Sequence, residues 1–259
     1  TVVLTSMFVI SLFAFYGILD DLVGLSHLTK FILPFCFSFS FVSILDYESL
    51  NVPFLANYDL TVTLFNSNVA YSDLFVLIII PIYILVVSNL VNMHSGFNGL
   101  QTGLSNILLI TLISVSIYDD KLDFLLLPVT LLASLLPLWY YNRYPARIFE
   151  GNVGALSIGA CIGIFIVVQG YYFLGIFILL PHIFDFLLFF YLKATNQKFV
   201  KFGELGKDGE IIAPNPIKLK FMITYYFKVN EKRAVEILHL ITLTFCILGF
   251  ILHIKFDFT

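Results

Sequence analysis

Eight apolar runs dominate this chain, roughly Val2–Leu19, Phe31–Leu45, Leu74–Val91, Leu104–Ile117, Phe124–Tyr141, Val153–Val168, Phe173–Leu192 and Ile237–Ile254, and Asp185 is the one charged residue within them. Stretches so long and so poor in charge satisfy their backbone groups as helices crossing a bilayer. Composition excludes a soluble fold. With 59% hydrophobic and 12% charged residues and a mean hydropathy of +0.96, a water-soluble surface could not be built. The expectation is an all-α polytopic membrane protein of eight spans. Residues 1–259 form one membrane domain, with 193–236 as its long loop.

Counting the spans alternately puts Lys30, Arg143, Arg147, Lys193, Lys198, Lys201, Lys207, Lys218, Lys220, Lys228, Lys232 and Arg233 on one side of the membrane. Only Lys121 and Lys255 of the 14 Lys and Arg fall on the other. Positive charge gathers on the cytoplasmic side, so the segments after the first, third, fifth and seventh spans are read as cytoplasmic. The net charge of −3 says little about partners. Cys36, Cys161 and Cys246 sit inside apolar runs without metal-like spacing and read as small core hydrophobes. The chain starts at Thr1, directly in a span and with no cleavable signal, which reads as a missing N-terminal part.

Where polar residues interrupt the apolar pattern, chemistry is expected. Asn89-Leu-Val-Asn92-Met-His-Ser-Gly96-Phe-Asn98-Gly99-Leu-Gln101-Thr-Gly103 places amides and glycines between two spans, suited to ligating a cation or reading a base. An ordinary Asn/Gly turn is the alternative. Asp20 and Asp21 end the first span, and Lys30 follows close enough to pair with them; a solvated helix end is the plainer account. Tyr141 to Gly159 brings Arg143, Arg147 and the sequence Gly151-Asn152-Val-Gly154, whose exposed N–H groups at a helix start favour an anion. Close helix packing or lipid anchoring accounts for the same residues equally simply. His182 and Asp185 share a face of the seventh span, either as a functional site or as a mutually hydrogen-bonded pair.

Within the long loop, Lys198 to Ile212 reads as a hairpin with a glycine turn, basic enough to cover an anionic ligand, and Ile217–Phe227 as an interfacial helix. On the other side, Asp59 to Phe65 alternates like a short strand before an Asn66-Ser-Asn68 turn, and Asp119-Asp120-Lys121 reads as a wetted turn.

Taken together, Asp20-Asp21 with Lys30, Asn89-x-x-Asn92-x-x-x-Gly96-x-Asn98-Gly99-Leu-x-x-Gly103 and Tyr144-Pro-x-Arg147-x-Phe149-x-Gly151 resemble the polyprenyl-phosphate sugar-1-phosphate transferases. Among these the chain is most similar to the eukaryotic and archaeal branch, which makes dolichyl-diphosphate N-acetylglucosamine from UDP-N-acetylglucosamine at the start of N-glycosylation. The Asn-Gly form of the central motif and the lack of the bacterial triple histidine favour that branch.

The resemblance implies Asp20, Asp21 and Lys30 as catalytic residues, Lys30 meeting a phosphate. It implies Asn92 and Asn152 as ligands of Mg2+, with Mn2+ as a substitute, and Asn98 with Phe149 around the uracil. Gly99, Arg147, Lys198, Lys201, His182 and Asp185 complete the candidate substrate residues. The implied partners are a UDP-HexNAc, a dolichyl or polyprenyl phosphate and the bilayer. No nucleic acid is called for, and a homodimer stays open. The short loop points to an archaeal cell membrane, or to the endoplasmic reticulum membrane if the source is eukaryotic.

Three departures stand beside the resemblance. Asn152 replaces the family's Asp, two N-terminal spans and a nucleotide-site loop are missing, and the loop's basic His-containing motif is not visible. They leave two rivals: a non-catalytic family member, which Asn152→Asp would have to activate, and a transporter with Asp20, Asp21 and Asp185 on an ion path. The transporter predicts no UMP release, and the chain lacks paired broken helices in two repeated halves.

Overall fold

The computed structural model describes residues 2–26, 28–42, 61–64, 67–70, 75–196, 203–206 and 209–256. Its helices are α1 (Val2–Val23), α2 (Thr29–Val42), α3 (Ile80–Met93, preceded by a π-type turn at Phe75–Ile79), α4 (Leu100–Tyr118) and α5 (Leu126–Asn142). They continue with α6 (Gly151–Gln169), α7 (Tyr172–Ile178), α8 (Leu180–Ala194), α9 (Leu219–Phe227) and α10 (Glu231–Phe256). Two antiparallel hairpins complete the described elements: β1 (Thr61–Leu64) with β2 (Ser67–Ala70), and β3 (Glu204–Leu205) with β4 (Ile211–Ile212). The second is the expected loop hairpin. The first begins its return strand at Ser67, inside the expected turn.

Every expected apolar run is helical over most of its described residues, with Phe124, Leu125 and Leu179 in turns, but the count of eight spans is not met by length. Among the described residues, five helical segments are long and apolar enough to cross a membrane, or six if α7 and α8 form one broken span. The two helices meet at 64°, because Pro181 near the start of α8 has no N–H to continue the ladder. The two remaining runs form the shorter helices α2 and α5, each with an internal proline, Pro34 and Pro137. Leu4, Phe8, Phe15, Ile247 and Ile251 are exposed on the outer helices, the surface expected of a protein dissolved in lipid.

The bundle is built around α6. One face of it, Leu156, Ala160 and Ile164, packs into a cluster with Val9, Phe13, Phe41 and Ile84 from α1, α2 and α3. The opposite face, Ile158, Ile162 and Phe165, joins Leu108, Leu112 and Leu174 from α4 and α7. A helix apolar on all sides is the sequence signature of such a central position. Contact with α1 is closest at Gly17, where a Cβ would sit 2.5 Å from the Asn152 carbonyl oxygen. This approach fixes the end of α1 against the start of α6.

At the other end of the bundle, Asp119 is not merely a wetted turn. It accepts hydrogen bonds from Tyr171 Oη (2.8 Å) and pairs with His253 Nε2 (2.9 Å), while Lys121 Nζ donates to the Gln169 carbonyl (3.0 Å). These contacts clasp α4, α6 and α10. The three cysteines are free, Cys161 and Cys246 buried and Cys36 exposed.

Candidate active site

The site begins where α1 runs out of apolar sequence. Asp20 is buried, and both of its oxygens are engaged. Oδ1 accepts the Leu25 N–H (3.0 Å), and Oδ2 accepts from Lys30 Nζ (2.7 Å) and from Asn152 Nδ2 (3.0 Å). Asp21 Oδ2 accepts the Asn152 backbone N–H (2.9 Å). The expected pairing of Lys30 with the acid pair is therefore present, and Asn152 is drawn into the same cluster from a distant part of the chain. Gly151 makes this possible. Its φ is +61°, and a Cβ there would lie 2.8 Å from Asp21 Oδ2. The α6 N-terminus does favour an anion, but the anion bonded to it is the protein's own carboxylate.

Asp21 and Asn152 form one wall of a cavity of about 460 Å³. Asn92 faces it from the last turn of α3 and Asn98 from the α3–α4 loop, Phe149 stands largely exposed at its rim, and Glu150 and Glu231 line it as well. No Lys or Arg is among the described residues lining it. Asn142, also in the lining, braces the loop. Its Oδ1 accepts from the Gly99 N–H (3.1 Å) and Thr102 Oγ1 (2.9 Å), and its Nδ2 donates to the Ile148 carbonyl (2.8 Å). Glu231, the first residue of α10, accepts the Asn98 N–H. Glu150 precedes α6 with Oε2 buried and without a hydrogen-bond partner, and burial raises its carboxyl above the usual range. The hard oxygens able to hold a cation are thus those of the Asp21, Glu150 and Glu231 carboxylates and of the Asn92, Asn98 and Asn152 carboxamides. Among the described residues no three His, Cys, Asp or Glu side chains gather as a cation site by themselves.

Beneath the loop lies a second polar layer. Lys218 Nζ donates to the Met93 carbonyl (3.2 Å) and to Asp185 Oδ2 (3.0 Å), and Lys220 Nζ donates to the Ser95 carbonyl (3.2 Å). Both lysines are buried, so the segment expected as an interfacial helix turns its first lysines inward, onto the carbonyls at the end of α3. Cations are favoured at that helix end.

His182 and Asp185 do not bond to each other. Asp185 takes Lys218 and the Leu219 N–H (2.9 Å), while the His182 ring meets the His94 ring edge-on at 4.6 Å. Burial pushes the His94 imidazole down to about 4, which keeps it neutral. Neither His182 nor Asp185 lines the cavity.

Gly99 and Arg147 border a different hollow, about 590 Å³, on the other side of Asn98, together with Trp139, Tyr140, Arg143 and Lys232. Of the expected substrate residues, Phe149 lines one cavity, Gly99 and Arg147 the other, Asn98 both, and His182 and Asp185 neither. Lys198 and Lys201 lie outside the described residues.

Asn92, Asn98 and Asn152 were legible as polar breaks in apolar sequence, and Phe149 through the family resemblance alone. Asn142, Glu150, Glu231, Lys218 and Lys220 carry no such signal. Only pairing a charged helix start with an amide loop across the bundle would have found them.

An apolar helical bundle that lines a cavity with Asp21 and carboxamides, and bonds the Asp20–Lys30 pair to one of them at Asn152, suits a membrane-embedded transferase. Residues 3–170 match glycosyl transferase family 4, and the chain belongs to that family. It is 32% identical to a provisionally named glycosyltransferase of Methanocaldococcus jannaschii, across 91% of this chain and 72% of the relative. A Sulfolobus acidocaldarius protein with the provisional name UDP-N-acetylglucosamine–dolichyl-phosphate N-acetylglucosaminephosphotransferase is 30% identical, across 91% and 69%. The phospho-N-acetylmuramoyl-pentapeptide-transferase of Prochlorococcus marinus is also 30% identical, across 96% and 70%. The protein is an integral membrane enzyme, a phosphotransferase of glycosyltransferase type.

Proposed function

We propose that this enzyme transfers N-acetylglucosamine-1-phosphate, or a closely related HexNAc-1-phosphate, from a UDP-sugar to dolichyl or another polyprenyl phosphate. UMP is released, and the product is the first lipid-linked intermediate of N-glycosylation. The observation that carries this reading is the assembly of Asp20, Asp21, Lys30 and Asn152 from three separate segments beside one cavity. The names of the archaeal relatives supply the substrate class. The basic segments support a cytoplasmic site in a chain of eight spans, the two short helices included.

An oxygen of the polyprenyl phosphate attacks the phosphorus that bears the sugar. The bond from that phosphorus to the bridging oxygen breaks, and the electron pair leaves with UMP. A phosphate nucleophile is already ionised near neutral pH, so Asp20 need not act as a base. It holds Lys30, whose ammonium group offsets phosphate charge. Leu22, Val23, Phe31 and Ile32 are exposed around this pair, so a lipid phosphate can reach it from the bilayer. Asn98 and Phe149 would hold the base, and Asn92 and Asn152 would contribute oxygens to Mg2+. The cation, when bound, offsets charge on the diphosphate oxygens. The donor set fits Mg2+, which takes hard oxygens and shares its shell with substrate phosphates.

The test is UMP release by the purified protein in detergent with dolichyl phosphate, Mg2+ and a panel of UDP-sugars. Release that needs both the lipid and the metal is expected, with UDP-N-acetylglucosamine preferred. A protein that binds UDP-sugar yet releases no UMP under any of these conditions would refute transfer and leave the non-catalytic reading.

A further inference from the structure

The carboxylates around the cavity differ in what already occupies them. Both oxygens of Asp20 are taken, by the Leu25 N–H on one side and by Lys30 and Asn152 on the other. Asp21 caps the start of α6 through Oδ2, and Glu231 holds the Asn98 N–H. Glu150 stands apart. Among the described residues its Oε2 is the only carboxylate oxygen that is fully buried without a hydrogen-bond partner. Asn142 lies within hydrogen-bond reach of the same carboxylate, and Asn142 is committed to Gly99, Thr102 and Ile148 as well. A buried carboxylate oxygen with no partner is costly, and a bound cation would relieve that cost. No Lys or Arg among the described lining residues supplies one.

The position of Glu150 matters as much as its bare oxygen. It shares the cavity with Asn92 and Asn152, the two carboxamides that can offer neutral oxygens to a divalent cation. Neither brings negative charge. Asn152, moreover, has its amide nitrogen turned to Asp20, so its remaining polar atom is the carbonyl oxygen, a weak ligand alone. Mg2+ sites that share substrate phosphates use one or two carboxylates from the protein.

We propose that Glu150 supplies the carboxylate with which this enzyme holds the divalent cation of its nucleotide-sugar cavity. Asn92 and Asn152 provide supporting oxygens, and the substrate diphosphate completes the shell. The sequence Phe149-Glu150-Gly151-Asn152 thus carries its acid two positions ahead of the amide, and the left-handed Gly151 lets both residues face one space. This rests on the reading of the cavity as the UDP-sugar site.

The test is Mn2+ binding, followed by electron paramagnetic resonance on the purified full chain with UDP-N-acetylglucosamine present. Uridine binding without metal is measured in parallel. Glu150→Gln is expected to weaken Mn2+ at least tenfold and to leave uridine binding within twofold. The same variant is expected to raise the metal-free Tm, since it removes an acid whose charged form burial disfavours. The double variant Glu150→Gln/Asn152→Asp is expected to return Mn2+ affinity to within about threefold of the unmodified protein, by moving the carboxylate rather than losing it.

Equal Mn2+ affinity in the single variant overturns the assignment. So does a parallel loss of uridine binding, a lowered metal-free Tm or misfolding, any of which would make Glu150 a structural residue. Failure of the double variant to recover Mn2+ also counts against it. An unmodified protein that shows no metal-dependent binding of UDP-sugar would instead overturn the underlying reading of the cavity. The two failures are therefore told apart by the unmodified protein alone.

Discussion

The ion pair of Lys30 with Asp20 contributes little to stability. The Lys30 Nζ lies 2.7 Å from Asp20, but the lysine side chain is 37% exposed, so solvent screens most of the attraction. Asp20 also retains the Leu25 N–H and the Asn152 amide when the lysine is removed. Lys30→Ala should therefore change unfolding free energy by less than about 1 kcal/mol. It should lower transfer by on the order of 10²-fold or more, the usual effect of deleting a preorganised charge at a reacting phosphate. UMP release and thermal unfolding on the same preparation check both halves, and near-normal turnover would remove Lys30 from the site. At this scale the sequence was informative wherever a polar residue broke an apolar run, as at Asp20, Asp21, Asn92 and Asn152. It was silent on Glu150 and Glu231, because an acid at the start of a helix is ordinary.

The α3–α4 loop is shaped by elements far from it in sequence. Lys218 joins the carbonyl end of α3 to Asp185 on α8, with both side chains of the ion pair almost wholly buried, 7% and 3% exposed. Removing one partner of such a pair strands the other. Asp185→Ala is expected to destabilise the protein by about 3–5 kcal/mol, and adding Lys218→Met should recover much of the loss. Chemical or thermal unfolding of the single and double variants measures this, and a mild single variant would mean that water already solvates the pair. The apolar runs made the helices legible in the sequence, and the glycines made the β3–β4 hairpin legible. Two features were not. Asp185 and His182 share a helical face, yet tertiary packing gave each a different partner. The seventh run breaks at Leu179, and periodicity does not register a change of direction inside continuous apolar sequence.

For the molecule as a whole, the seam between α1 and α6 fixes the Asp20–Asp21–Asn152 cluster relative to the bundle. Gly17 allows contact at backbone distance, and one turn later Asp20 and Asp21 meet Asn152. Gly17→Leu should push the two helices apart, with a loss on the order of 1–3 kcal/mol or more from overpacking. Transfer should fall along with stability, whereas a swap on the lipid-facing side of α1, such as Leu4→Ile, should leave both unchanged. Thermal unfolding and UMP release on the two variants make the comparison. That the polar segments would collect at one end followed from alternating spans in the sequence. Their division between two cavities did not, since it depends on Asn98 and Asn142 forming a partition.

The capping of α6 by Asp21 has a bearing on selectivity. A helix start is the usual place for a protein to catch a bare phosphate, and here that place is taken by a carboxylate. With further acids and no described Lys or Arg in its walls, the cavity repels naked polyanions. If the proposed function holds, it would act as a charge filter, admitting a nucleotide sugar only once a cation has masked its diphosphate. Initial rates at fixed total UDP-sugar should then follow the concentration of the metal–nucleotide complex, and uncomplexed nucleotide should compete poorly. Titrating metal against nucleotide at constant ionic strength measures this, and strong inhibition by the metal-free form would show that the filter does not operate.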